Sequence, residues 1–281
     1  MAEPMNQLDP VLLLLHIPKT GGTTLNTLVY EGRYDPSMPA GEEGGYLNYG
    51  IYHFPGGFDE DDSPGPTEQL ARALSRPDVR LVLGHFPFGV HRLTPRPARY
   101  VTFLRDPVDR IVSLYYHGVH WASNEMDDLN AAGKMTESLV ATRRKGFDND
   151  QTRRLSGADP EFGRCTPAML EQAKRNLRRH FAMVGLTERF DESVVLLKRI
   201  LGWSDMLYLP RLVNPQRPAR TDLADSVVEP IRDRNKLDLE LYRYARELFE
   251  RLAERQGPEF EDEVRTFRAL NEAHIREYGV Y

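Results

Sequence analysis

A chain of 281 residues, 40% hydrophobic and 28% charged, can bury a full core and lies within the range of one large α/β domain, with two domains possible. A net charge of −5 and a pI near 5.9 exclude a global basic field that would recruit nucleic acid, although local basic patches remain open. The single cysteine, Cys165, excludes an intramolecular disulfide and reads as a packing residue, and no Cys/His cluster has zinc-ligand spacing.

Met1 to Pro10 lacks a basic leader segment, and the apolar run that follows is far below the roughly 20 residues that span a bilayer. The chain therefore reads as a soluble cytoplasmic protein. Val11 to Ile17 is a short apolar run bounded by Pro18, Gly21 and Gly22, which suits a central parallel strand. A helix is expected from about Gly22 to Tyr30. The unpaired N–H groups at its start, together with glycines that let a ligand approach the backbone, favour an anion. Lys19 adds a positive charge, and Thr20, Thr23 and Thr24 add hydroxyls. The alternative is a capped turn with a solvated lysine. The ATP-type order G-x-x-x-x-G-K-[ST] is absent, because here the lysine precedes the glycines.

Glu31 to Pro66 is long for a connection and reads as a lid or acceptor loop. Its Tyr46, Tyr49, Tyr52, His53, Phe54 and Phe58 suit either a platform for a sugar ring or a loop clamped down by its own aromatics. Asp59 to Asp62 reads as a solvated acidic turn. Thr67 to Ser75 is a short helix, and Val79 to Leu83 a second buried strand, which leaves His85 just past its carboxyl end, where open α/β sheets bind ligands. His85 is a candidate proton acceptor, with a structural histidine as the alternative and His53, His16 and His91 as competitors.

Tyr100 to Leu104 is a strand that ends at Arg105-Asp106-Pro107. Asp106 reads as the N-cap and Pro107 as the first residue of a helix running to about His117. Lys134 to Gly157 is polar and basic. A helix from Ala168 to His180, a strand from Phe181 and an amphipathic helix from Glu188 to Leu201 follow. Pro210 to Pro218 breaks the pattern. Leu237, Leu241, Tyr244, Leu248 and Leu252 then mark a helix with one apolar face, better packed on the body than on a second copy, and Pro258 separates it from a last helix. No internal repeat or low-complexity tract is present.

The stretch His16-Ile17-Pro18-Lys19-Thr20-Gly21-Gly22-Thr23-Thr24 resembles the 5′-phosphosulfate loop of the Golgi-type carbohydrate sulfotransferases, most closely the heparan sulfate 6-O-sulfotransferases and their bacterial relatives. Arg105, with Ser113 eight residues later, is similar to that family's 3′-phosphate site. The resemblance implies a three-layer α/β fold like that of P-loop nucleotide kinases, with a mostly parallel sheet, in one domain over residues 1–281 with a helical C-terminal extension over 219–281. It further implies O-sulfotransferase activity with 3′-phosphoadenosine 5′-phosphosulfate (PAPS) as donor and a carbohydrate or other hydroxyl as acceptor. His85 would be the catalytic base and Lys19 would assist the leaving group. Lys19, Thr20, Gly21, Gly22, Thr23, Thr24, Arg105 and Ser113 would hold the donor, and His53, Gln151 and Arg153 would touch the acceptor, although a solvated basic loop also explains the last two. No metal is implied, since a sulfuryl group is less anionic than a phosphoryl group. The missing membrane anchor departs from the animal members and fits a bacterial origin. A kinase using ATP and Mg²⁺, or a noncatalytic nucleotide- or carbohydrate-binding protein, is the alternative.

Overall fold

The structure, a computed structural model, describes residues 10–31, 46–48, 51–54, 66–121, 135–203, 206–210, 218 and 220–279. In chain order it forms β1 (Val11–Leu15), α1 (Gly22–Glu31), β2 (Tyr46–Asn48), β3 (Ile51–Phe54), α2 (Pro66–Ser75), β4 (Leu81–Gly84), β5 (Ala98–Leu104) and α3 (Pro107–Trp121). There follow α4 (Met135–Ala141), α5 (Asp150–Ser156), α6 (Pro167–His180), β6 (Phe181–Leu186), α7 (Phe190–Leu201), α8 (Asp225–Arg234), α9 (Lys236–Glu254) and α10 (Glu259–Tyr278).

Among the described residues the sheet has the order β2-β3-β4-β1-β5-β6. All pairings are parallel except that of β2 with β3. Successive strand residues point to opposite faces, and Leu13, Leu14 and Leu15 are all buried, so helices cover the sheet on both sides. This is the three-layer architecture expected. β1 lies between β4 and β5, with Leu15 level with Gly84 on one side and Thr102 on the other. The carboxyl ends of these three strands therefore deliver residues 16–21, 85–89 and 105–106 to one edge.

The expectation of a lid over 31–66 is corrected where the segment is described. Tyr46–Asn48 and Ile51–Phe54 are strands of the sheet, and Tyr52 and Phe54 are buried in the core, so neither can form a sugar platform. Tyr49, Phe58 and the acidic turn at 59–62 lie outside the described residues. At the other end of the chain α9 is part of the body: Leu241, Ala245 and Phe249 sit fully buried in the main core, and the helix packs on β6 and α6. A second apolar cluster joins Val108, Ile111 and Val112 of α3 to Leu139 of α4 and Ile231 of α8. Between Leu186 and α7 lies a short 3-10 turn, Thr187–Arg189, so this helix begins two residues later than the pattern suggested.

Candidate active site

The turn after β1 is built by close approach. Lys19 and Gly21 both adopt positive φ, +70° and +88°, the first of these uncommon for a side-chain-bearing residue. A Cβ on Gly21 would meet the Phe190 ring at 2.9 Å, and one on Gly22 would fall 1.5 Å from His16 Nε2. The His16 imidazole thus fills the space beside the first residue of α1. Helix hydrogen bonding starts with Leu25 N–H donating to Gly21 O at 3.0 Å, so the N–H groups of the preceding residues have no acceptor within the helix. The Thr20 hydroxyl donates to Ile17 O at 2.8 Å and is fully buried. That side chain braces the loop from within, so its hydroxyl hydrogen is committed to the protein. Thr23 is exposed and Thr24 buried.

Two arginines approach the loop from the start of α3. Arg105 Nη1 donates to Lys19 O at 3.2 Å and Arg110 Nε to Pro18 O at 3.0 Å. Each cation offsets the negative end of a loop carbonyl, which leaves the turn electropositive and suited to a phosphate. Arg110 is 1% exposed and forms a buried ion pair with Asp150, whose other oxygen accepts from Arg154 Nε at 3.1 Å. Asp106 caps α3, accepting from Val108 N–H at 2.9 Å, and Pro107 follows as the first helical residue. Ser113 lies half-buried two turns into α3.

Three histidines converge at this edge. His85 Nδ1 lies 3.1 Å from His16 O. A carbonyl can only accept, so Nδ1 carries the proton, and in the neutral ring this makes Nε2 the accepting nitrogen. Its ring stacks on that of His16, with centroids 4.3 Å apart. His53 stands on β3 level with Leu83. Burial, reinforced by His85, pulls its pKa down to about 4. Burial pushes His16 well below the usual histidine range, helped by His85, Arg154, His53 and Lys19. Both are neutral at pH 7. His91 is set apart from this group, its Nδ1 2.9 Å from the Tyr100 hydroxyl and its ring against His180.

Gln151 and Arg153 do not sit where acceptor contacts were expected. Gln151 is fully buried. Its amide accepts from Arg105 N–H and donates to Arg105 O, both at 3.0 Å, in place of the ladder partners a residue just past its strand has lost. Arg153 is 2% exposed and donates to Asp148, Asp159, Pro160 O and Glu161 O, so its guanidinium is committed to a structural network. Cys165 lies against Asp148, and burial, with Asp148 adding, pushes its thiol up to about 12. Among the described residues no group of three His, Cys, Asp or Glu side chains is placed to hold a metal ion, and no helix is long and apolar enough to cross a membrane.

Arg110, Asp150, Glu188 and Asp238 are site-supporting residues that local pattern did not single out. Their partners lie far away in sequence. Asp238, on α9, accepts from the N–H groups of Gln151 at 3.1 Å and Thr152 at 2.7 Å. Asn149, in the left-handed conformation at φ +48°, accepts in turn from Leu237 and Asp238 N–H at 3.0 and 3.1 Å. The starts of α5 and α9 cap each other.

Relatives with known roles match this chain. Galactosylceramide sulfotransferase of Homo sapiens is 31% identical over 240 residues, covering 79% of this chain and 55% of its own length. Heparan-sulfate 6-O-sulfotransferase 2 of Danio rerio is 32% identical over 189 residues, covering 56% and 40% respectively. The chain thus spans about half the length of these relatives. A solved sulfotransferase from Alicyclobacillus acidocaldarius overlays on 82% of this chain and 96% of its own at 16% identity, with a TM-score of 0.41. The family model for galactose-3-O-sulfotransferase matches residues 73–277, from α2 through α10 and including Arg105, Ser113 and His85. With well over half of its length matched, the chain belongs to the galactose-3-O-sulfotransferase family.

Proposed function

We propose that this protein transfers a sulfuryl group from PAPS to a hydroxyl of a carbohydrate-bearing acceptor. The observation that carries this reading is the meeting, at the ends of three adjacent strands, of a phosphate-suited turn, Arg105 and a histidine whose Nδ1 is held by the His16 carbonyl. The two relatives above are named for a galactosylceramide and for heparan sulfate, and a sugar hydroxyl is the chemistry those names share.

Such a donor supplies a sulfuryl group attached to a phosphate leaving group. The turn at Lys19 to Gly22 and the N–H groups opening α1 hold its 5′-phosphate, and Arg105 with Ser113 holds the 3′-phosphate. His85 Nε2 takes the proton as the acceptor oxygen bonds to sulfur and the sulfur–phosphate oxygen bond breaks, leaving adenosine 3′,5′-bisphosphate. Lys19 and the helix start offset the charge that grows on the departing phosphate, so they act most strongly in the transition state. Nδ1–H donation to His16 O keeps His85 in the accepting tautomer.

Calorimetric titration with adenosine 3′,5′-bisphosphate, run beside ATP with Mg²⁺ and repeated on Arg105→Ala, tests the donor site. Binding of the bisphosphate that collapses in the variant supports it, and transfer of labelled sulfate to glycolipid or glycan acceptors then identifies the substrate. Preference for ATP would point to a kinase, and tight bisphosphate binding with no transfer to any acceptor to a noncatalytic binding protein.

A further inference from the structure

Arg105 and Asp106 occupy the junction between β5 and α3, where their main-chain groups have left the sheet. Both are tied to α9 by short relays. Gln151 spans the N–H and C=O of Arg105, and the backbone of Gln151 is held by the Asp238 carboxylate, which also accepts from the Thr152 hydroxyl at 2.7 Å. Beside this, Asp106 N–H donates to Glu188 Oε1 at 2.8 Å, and the Tyr242 hydroxyl donates to Glu188 Oε2 at 2.6 Å. Asp238 and Tyr242 are one turn apart on α9 and so share a face. Asp238 and Gln151 are 1% and 0% exposed, where hydrogen bonds are directional and costly to leave unmade.

We infer that α9 is the positioning element of the donor site: Asp238 and Tyr242, acting through Gln151 and Glu188, set the main chain of Arg105 and Asp106 and thereby the recognition of the 3′-phosphate. This rests on the donor reading proposed above. A guanidinium makes paired bonds to a phosphate only in a narrow range of orientations, so a small rotation of the Arg105 backbone costs the 3′-phosphate contact while sparing the 5′ turn.

The test compares the affinities of adenosine 3′,5′-bisphosphate and adenosine 5′-phosphate in the full chain and reads their ratio. Tyr242→Phe, Glu188→Ala and Gln151→Met are each expected to reduce the preference for the bisphosphate by about fivefold to tenfold, the worth of one or two hydrogen bonds. Affinity for the monophosphate is expected to hold within about twofold on the same scale. Glu188→Gln, which keeps an acceptor for Asp106 N–H and a partner for Tyr242, is expected to keep the preference. Equal weakening of both nucleotides would show a merely structural role, and an unchanged ratio in folded variants would remove the relay; either overturns the inference. Arg105→Ala separates the two levels: if it abolishes the preference while the relay variants retain it, the donor site stands and the relay falls. If wild type shows no preference, both fall.

Discussion

Gly22 and the His16 imidazole share one small volume, and that sets a sharp constraint on both. A methyl at position 22 would lie 1.5 Å from Nε2, so Gly22→Ala must displace a buried ring that stacks on His85. Overpacking of this kind costs about 1–3 kcal/mol. We expect Gly22→Ala to lower the melting temperature and weaken nucleotide binding together, and Gly22→Ala/His16→Ala to recover much of the stability, a rescue that denaturant titration of the three proteins would detect. His85 makes a different kind of contribution. Its Nε2 is an acceptor only because Nδ1–H is engaged, and a general base is typically worth about 10²–10⁴ in rate. His85→Ala is therefore expected to cost turnover on that order with bisphosphate affinity nearly unchanged; equal loss of both would place His85 in binding instead.

Among the elements, α3 shows how much local sequence specifies. Asp106 followed by Pro107 announces a helix start, and the cap forms as the residues dictate. Asp106→Ala is expected to destabilise the chain by about 1 kcal/mol, the usual worth of such a cap, with some addition from Arg220, whose Nη1 lies 2.8 Å from the same carboxylate. β1, α1 and β5 were equally legible because apolar runs and glycine turns are local signals. β2 and β3 were not. Their segment is crowded with glycine, proline and acidic residues, and the strands form because β4 offers Ile51–Phe54 a buried edge, a tertiary fact that no window of sequence contains. The resemblance gives Gln151 as an acceptor contact, yet its partner Arg105 is 46 residues away, a separation at which local sequence carries no sign of a buried clamp. Asp238 lies 86 residues from Thr152, and nothing in the apolar stripe of α9 hinted at it. Even on that stripe the deepest residues include Ala245 and Phe249, one position beyond the expected Tyr244 and Leu248.

At the level of the whole molecule, buried titratable groups give stability an acid dependence with opposing parts. His53, near 6.5 when unfolded and held to about 4 when folded, binds fewer protons in the native state. Its contribution is present above pH 6.5 and is lost as pH falls toward 4, by at most about 3 kcal/mol. His16, displaced in the same direction, adds to that loss. Asp238 runs the other way, since burial raises its carboxyl to about 6 and the native state is favoured as pH falls through 6 toward its unfolded value. We expect a net decline in stability between pH 6.5 and 4, shallower in His53→Gln and steeper in Asp238→Asn, as denaturant titrations at several pH values would show. The placement of β1 has a consequence of another sort. β1 is synthesised before both of its neighbours in the sheet, β4 and β5, which arrive only after the intervening segments have been made. Until then Val11–Leu15, an uncharged and wholly apolar run, has both edges unpaired, the condition that invites pairing between chains. Refolding yield should accordingly fall steeply with protein concentration, and a growing chain would need this strand shielded while the rest of the sheet is made.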